Sequence, residues 1–213
     1  MTKKYVLQEF MNLDYSDSLL TEEEREGNRN GIHLVLAGKI QAAGKKNGNG
    51  RIYPKPILER EMKNYEKLVR EGRAIGELDH PDTSVVELKN VSHVVREAHM
   101  DGDVCYGTIE VLDTPNGNIL KSLVQSGVKI GISSRGVGST RSEGGHQVVQ
   151  DDFQLICWDI VSEPSTPGAF IMKEARDLSS HEMAQVRAFF GKEDKLNRVA
   201  NKILNWNGDG NAS

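Results

Sequence analysis

The pattern of apolar and polar positions along the chain predicts more strands than helices. Two of the apolar runs, residues 91–100 and 104–112, flank Asp101-Gly102-Asp103, and an Asp-Gly pair between two such runs predicts a hairpin. Residues 153–161 alternate in a way that predicts a strand buried on at least one face. Two further short apolar segments predict strands, at 32–40 and 128–132.

Three helices are predicted between or after the strands. The first begins at Pro54 or Pro56 and ends at Glu71-Gly72. The second covers residues 118–126, and the third begins at Ser179 or Ser180 and continues past Gly191. This order predicts an α+β fold with a mostly antiparallel sheet or barrel.

Three regions are predicted from the change in composition along the chain. Residues 1–30 are charged and punctuated by Gly and Asn, which predicts a flexible N-terminal segment. Residues 31–175 form the main domain, and residues 176–213 form a C-terminal helical segment with a loose tail.

Charge and composition exclude several classes of function. The chain has 27 Lys and Arg against 31 Asp and Glu, a net charge of −4, which argues against nucleic acid as a partner. No apolar run is long enough for a membrane span, and the N-terminus lacks the apolar core of a signal peptide. Cys105 and Cys157 are far apart and predict buried thiols in a reducing compartment. A soluble cytosolic protein is therefore expected.

The histidines do not predict a metal centre. None of the six histidines has a close metal-ligand spacing, and neither cysteine clusters with them. The glycine-rich stretch GISSRGVGS does not match a dinucleotide fingerprint, although its amides could hold an anion. We therefore expect neither a metal nor a cofactor.

Three polar residues in strand-like surroundings could carry chemistry together. His80 is fixed by the following Pro81, yet taken alone such a residue is more often a turn histidine than a catalyst. Ser133 and Ser134 follow an apolar strand and precede flexible Gly amides, which suits a nucleophile, whereas the alternative is a polar turn. Asp159 lies in an apolar strand, where it needs a histidine, backbone amides or an arginine as partner. Serine, histidine and aspartate supply a nucleophile, a base and an orienting acid.

Four ordered motifs resemble those of the prohead core proteases of T-even-type bacteriophages. They are NGRIYPKPIL at 49–58, GELDHP at 76–81, GISSRG at 131–136 and DIVSEPSTPGAF at 159–170. The resemblance covers about residues 31–172 and extends to other capsid-maturation serine proteases, including the herpesvirus assemblins. It implies their fold, a small, mostly antiparallel β-barrel surrounded by helices.

The resemblance also implies roles for individual residues. His80 and Ser133 match the family's histidine and nucleophile, and Ser134 is the competitor because alternate strand residues face opposite sides. Asp159 takes the place of the third member, with His93 as the alternative. The backbone N–H groups of Arg135 and Gly136 are expected on the oxyanion side.

The expected function is that of a serine endopeptidase in an assembling phage head, in the host cytoplasm. Its expected substrates are scaffold or core proteins, the major capsid protein and itself, with a preference for cleavage after Glu. That preference requires a basic pocket, for which Arg51, Lys55 and Arg135 are candidates. The terminal segments are candidates for inhibitory, self-cleaved or shell-tethering pieces, and a homo-oligomer is possible.

Two alternatives from other classes are considered. One is a non-catalytic assembly protein with the same fold that binds scaffold or shell subunits. The other is a cysteine hydrolase that uses Cys105 or Cys157, although both lie in apolar runs where thiols are usually inert.

Overall fold

A computed structural model describes residues 4–12, 15–81 and 83–162 of the chain. Three α-helices are described: α1 (Glu22–Asn30), α2 (Lys55–Arg70) and α3 (Pro115–Gln125). Ten strands accompany them: β1 (Tyr5–Asn12), β2 (Leu34–Ala42), β3 (Arg51–Ile52), β4 (Ile75–Glu77), β5 (Val91–Asp101), β6 (Val104–Val111), β7 (Ile130–Gly138), β8 (Thr140–Glu143), β9 (His146–Val149) and β10 (Gln154–Ser162). Short 3-10 helices cover Asp17–Leu19 and Leu88–Asn90.

The described strands form three mostly antiparallel sheets. Their strand orders are β1-β7-β10, β2-β6-β5-β4 and β3-β9-β8, and only the β3–β9 pair is parallel. The first two sheets meet where Leu78 forms a single bridge with Ile160. The α+β, mostly antiparallel prediction is confirmed. The closed barrel is not confirmed, because the hydrogen-bonded strands within the described ranges leave open sheet edges.

Local signals placed several elements well. The predicted hairpin is present, with Asp101 paired to Val104 and Gly102 at a φ of 58°, a conformation that glycine adopts without strain. The first helix begins after Pro54 and ends at Glu71, as its proline and apolar spacing predicted. The second begins earlier than expected, because Thr114 caps the helix and Pro115 occupies its first turn. The predicted third helix and the C-terminal segment lie outside the described residues.

The N-terminal segment differs from the flexible lead-in that its composition predicted. Tyr5–Asn12 pairs along its full length with β7. The helix α1 follows, and the side chains of Thr21 and Glu24 form a reciprocal capping box at its start. Long-range pairing and a local cap therefore order residues whose polar composition alone suggested a loose chain.

The core lies between α2 and the sheets. The buried face of α2 includes Leu58, Met62 and Tyr65, and the Tyr65 ring meets the Trp158 ring edge to face at 4.6 Å. Every residue of β7 is buried, because this strand lies between β1 and β10 in its sheet. Of the helices in the described part of the chain, none is long and apolar enough to cross a membrane.

Candidate active site

Three strands bring the candidate residues together. The strands β7 and β10 are antiparallel neighbours, and their register places Asp159 directly opposite Ser133. The strand β4 ends nearby at Glu77, and the backbone N–H of Asp79 donates to the carbonyl of Ile160 at 2.8 Å. This bond holds the segment that carries His80 against the end of β10.

His80 connects the serine and the aspartate. Its Nδ1 lies 2.9 Å from Asp159 Oδ2, and its Nε2 contacts Ser133 Oγ in a short hydrogen bond. An ionised carboxylate only accepts, so Nδ1 carries the proton and donates to Asp159. Nε2 is then the free acceptor for the Ser133 hydroxyl, the tautomer that a general base requires.

The two adjacent serines are distinguished by the alternation of the strand. Ser133 faces His80 and Asp159, whereas Ser134 follows on the other face of β7, opposite Glu9 of β1. Both serines are buried, and Ser134 Oγ has no hydrogen-bond partner within the described part of the chain. Only Ser133 is therefore in contact with the histidine.

Asp159 is fully buried yet surrounded by donors. Its Oδ1 accepts from the backbone N–H of Glu77 and from Arg135 Nη2, each at 3.1 Å, and Arg135 Nε lies 2.9 Å from Oδ2. Burial alone would raise the pKa of Asp159. The hydrogen bond from His80 and the Arg135 charge outweigh burial and hold that pKa below its usual value. The carboxylate is therefore ionised where His80 needs it.

The expected place of Arg135 and Gly136 on the oxyanion side stays a prediction. Both lie inside the central strand β7, in register with residues of β1 and β10, rather than at a flexible strand end. Arg135 contributes its buried guanidinium to Asp159. Gly136 has a packing role, because a Cβ there would lie 2.4 Å from the Phe153 ring.

The hydrogen bonds of His93 go to other residues than His80, Ser133 and Asp159. The His93 ring is fully buried, and its Nε2 lies 3.1 Å from the Trp158 carbonyl oxygen. Burial lowers the pKa of His93 to about 4, against a smaller opposing effect of Asp159. The position next to His80 belongs to Asp159, so the alternative assignment to His93 has no support from the geometry.

The three candidates for a basic specificity pocket already pair with carboxylates. Arg51 Nη1 lies 2.7 Å from Glu9, and Lys55 Nζ lies 3.0 Å from Asp103. Arg135 is buried between Glu77 and Asp159. None of them presents an unpaired charge to a substrate.

Two features near His80 were missed from the sequence. Glu77 is a fully buried carboxylate in contact with Arg135, and burial raises its pKa against the opposing effect of that arginine. A buried arginine in an apolar strand requires a carboxylate, so the Arg135 position was the signal that could have identified Glu77. Asp79 adopts a left-handed backbone with a φ of 65°, which the sequence did not indicate.

The described residues do not meet the requirements of a metal site or of a reactive thiol. Within these ranges, no group of three or more His, Cys, Asp or Glu side chains could hold a metal ion. Cys105 and Cys157 are buried, and burial raises the pKa of the Cys105 thiol to about 12 and that of Cys157 well above its usual value. Both thiols are therefore protonated, which disfavours the cysteine hydrolase alternative.

Comparisons with known proteins agree with the resemblance seen in the motifs. Residues 17–180 match a family described as prohead core protein serine protease. The prohead core protein protease of Enterobacteria phage T4 is 33% identical over 143 residues, which is 65% of this chain and 68% of that protein. The solved structure of the bacteriophage T4 capsid assembly protease has a TM-score of 0.63 and 25% identity, and the match covers 76% of this chain and 99% of that chain. With a family match over most of its length and a similar fold, the chain belongs to the family of prohead core protein serine proteases.

Proposed function

We propose that this chain is a serine endopeptidase in which Ser133 is the nucleophile, His80 the general base and Asp159 the orienting carboxylate. One observation carries the proposal: the His80 ring contacts Ser133 Oγ with one nitrogen and Asp159 with the other. Three residues from separate segments meet in the arrangement that activates a hydroxyl.

The geometry supports the following mechanism. His80 Nε2 takes the proton of Ser133 Oγ as the oxygen attacks the scissile carbonyl carbon, and a tetrahedral intermediate forms. The imidazolium then donates that proton to the leaving amine, and a water molecule hydrolyses the acyl-enzyme by the same route. Asp159 keeps the Nδ1 proton in place and stabilises the imidazolium in both steps.

The family and its named members support a proposal for the substrates. The T4 protein that resembles this chain in structure is a capsid assembly protease. By analogy, this enzyme cleaves scaffold or core proteins, the major capsid protein and itself inside the assembling prohead. Cleavage after Glu belongs to the same proposal. Of its three basic candidates, Lys55 is the exposed one, whereas Arg51 and Arg135 pair with buried carboxylates.

The non-catalytic alternative has less support. A binding protein with this fold would have no need for a buried aspartate that orients a histidine towards a serine hydroxyl. Burying Asp159 is costly unless it is paired, so such an arrangement is favoured where it serves chemistry.

Covalent labelling of the serine tests the proposal. The purified chain is treated with a fluorophosphonate, the adduct is located by peptide mass spectrometry, and the experiment is repeated with His80→Ala, Ser133→Ala and Ser134→Ala. We expect an adduct on Ser133 that is lost with His80→Ala and retained with Ser134→Ala. Processing of co-expressed scaffold protein should fall by a factor of roughly 10⁴–10⁶ with Ser133→Ala.

Two outcomes would contradict the proposal. An adduct on Ser134 would show that Ser134, and not Ser133, is the nucleophile. Scaffold processing by the Ser133→Ala variant at the rate of the unmodified chain would remove Ser133 from the chemistry altogether.

A further inference from the structure

The orienting aspartate belongs to a larger buried network of charges. The side chains of Glu77, Arg135 and Asp159 are all fully buried. Arg135 Nη2 donates to both carboxylates, to Glu77 Oε2 in a short bond and to Asp159 Oδ1 at 3.1 Å. A single guanidinium is thus shared between one carboxylate that faces His80 and one that does not.

The same pair of residues holds the loop that carries His80. Glu77 Oε1 accepts from the backbone N–H of Glu87 at 2.7 Å, and Arg135 Nη1 donates to the carbonyl of Thr83 at 2.9 Å. These two bonds bind both the middle and the end of the loop that follows β4. Glu77 and Arg135 therefore hold the loop that carries His80, and Arg135 also holds the Asp159 carboxylate.

The formal charges of the network show why a second carboxylate is present. Arg135 and Asp159 alone would sum to zero, so an imidazolium at His80 would face a neutral pair. Glu77 adds a negative charge, and the three groups together carry one net negative charge beside His80. Because buried charges interact strongly, that difference changes the free energy of protonating the imidazole.

We propose that Glu77 is a positioning residue that acts through Arg135, offsetting the guanidinium charge so that Asp159 remains an effective counter-ion for His80. This inference rests on the proposed function, in which His80 is the base for Ser133. Glu77 does not contact the reacting atoms itself; its carboxylate contacts Arg135 and the Glu87 amide.

Within the described ranges, the other groups around His80 that can titrate or carry charge come from five segments. Besides Glu77 on β4, the exposed Asp79 precedes the histidine in its own loop. From β7 the neighbours are Ser133 and Arg135, from β10 they are Cys157 and Asp159, and from β5 it is the neutral His93. Among these, Glu77, Arg135 and Asp159 are the buried charges that set the field at the imidazole.

The test measures how the rate of fluorophosphonate labelling of Ser133 depends on pH. Labelling requires the neutral form of the base, so the labelling rate rises with pH to a plateau. Glu77→Gln removes a negative charge near the imidazolium, so we expect the rising limb to move down by about one pH unit. We expect the plateau rate to fall about 10- to 100-fold, because the imidazolium formed during attack loses stabilisation.

Two further variants separate charge balance from a merely structural role. Glu87→Gln makes the same chemical change on a half-exposed carboxylate in the same loop, and we expect a wild-type profile. The double variant Glu77→Gln with Arg135→Met removes one charge of each sign, so we expect its limb to return to the wild-type position. If Glu77→Gln does not fold, the double variant still tests the charge balance, because the pH at which its labelling rate rises should equal that of the unmodified chain.

The possible failures are distinguishable. If the unmodified chain shows no His80-dependent adduct on Ser133, the proposed function fails and this inference fails with it. If labelling is normal but the Glu77→Gln limb does not move, only the inference is overturned. A limb that moves with Glu77→Gln and stays displaced in the double variant would also overturn it, since charge balance would not be the cause.

Discussion

His93 is a buried histidine close to the candidate site, but the hydrogen bonds to Ser133 and Asp159 are made by His80. The His93 ring is enclosed by β4 and β10, with the Ser92 hydroxyl 2.9 Å from Nδ1 and the Trp158 carbonyl 3.1 Å from Nε2. Burial holds the His93 pKa at about 4, so the folded protein keeps this ring neutral at pH values where an exposed histidine would be charged.

The low pKa of His93 predicts a loss of stability in mild acid. The unfolded chain binds a proton at this residue at about pH 6.5, whereas the folded chain binds it only near pH 4. The stabilising contribution is therefore complete above about pH 6.5 and is lost as the pH falls to about 4, for a total of about 3 kcal/mol. The free energy of unfolding, measured by urea denaturation across this range, should become less pH-dependent in His93→Gln.

The matched control is His99→Gln, because the His99 side chain is half exposed on the same strand. The pH dependence of this variant should match that of the unmodified chain. An equal loss of pH dependence in both variants would contradict the assignment to His93.

Single residues also show where the sequence was informative and where it was not. The sequence offered two adjacent serines, and strand alternation predicted that only one of them faces the histidine. The register between β7 and β10, which shifts between Leu155 and Cys157, determines which residue lies opposite Asp159. A register of this kind depends on packing along two strands distant in sequence, so the motifs alone did not contain it. The pairing of Glu77 with Arg135 was missed for the same reason.

At the scale of elements, the approach of β4 to β10 depends on one glycine. A Cβ at Gly76 would lie 2.1 Å from the Trp158 carbonyl oxygen and 2.3 Å from His93 Nε2. The oxygen belongs to the backbone and cannot rotate away. Any side chain at this position therefore separates the strand that leads to His80 from the strand that carries Asp159.

Gly76→Ala should consequently weaken both the fold and the site. We expect the free energy of unfolding to fall by at least about 1–3 kcal/mol, as in other overpacked cores. We also expect slower fluorophosphonate labelling of Ser133, since His80 would move away from Asp159. Gly48→Ala is the control, because a Cβ there has no neighbour within 4 Å, and it should change neither quantity. Normal labelling of Gly76→Ala would show that this approach is not needed for the site.

The elements that the sequence predicted well are those with local signals. The Asp-Gly turn placed the β5–β6 hairpin, and Pro54 with the apolar spacing placed α2. The strand β1 was missed because its buried polar residue, Glu9, is compensated by residues that lie some forty positions away. The barrel was one of two possibilities given by the order of elements and was then implied by the resemblance, and pairing between sheets is not encoded in any one segment.

For the molecule as a whole, β1 ties the N-terminal segment to the sheet that carries Ser133. Its Glu9 carboxylate is buried and accepts from four side chains of residues 47–53. Those donors are Asn47, Asn49, Arg51 and Tyr53. This arrangement joins the first strand, the segment before α2 and the strand that carries Ser133.

A variant that lacks residues 1–12 should therefore be less stable and less reactive. The deletion exposes the edge of β7 and removes the carboxylate to which the buried Tyr53 and three partly buried side chains donate, and losing a buried hydrogen bond is costly. We expect a lower thermal midpoint and slower labelling of Ser133, measured by calorimetry and mass spectrometry. Faster labelling would instead support an inhibitory N-terminal segment. Glu26→Gln, on the exposed side of α1, is the control and should leave the midpoint unchanged.

The two buried thiols can report how often the fold opens locally. Cys105 lies in β6 and Cys157 in β10, so two of the three described sheets each carry one fully buried thiol. An alkylating reagent can reach either sulfur only during a transient local unfolding event, so its rate of modification reports how often that sheet opens. Because Cys157 is two residues from Asp159 on the same strand, its alkylation rate reports local unfolding at the candidate site. The alkylation rate of Cys105 reports local unfolding of the neighbouring sheet.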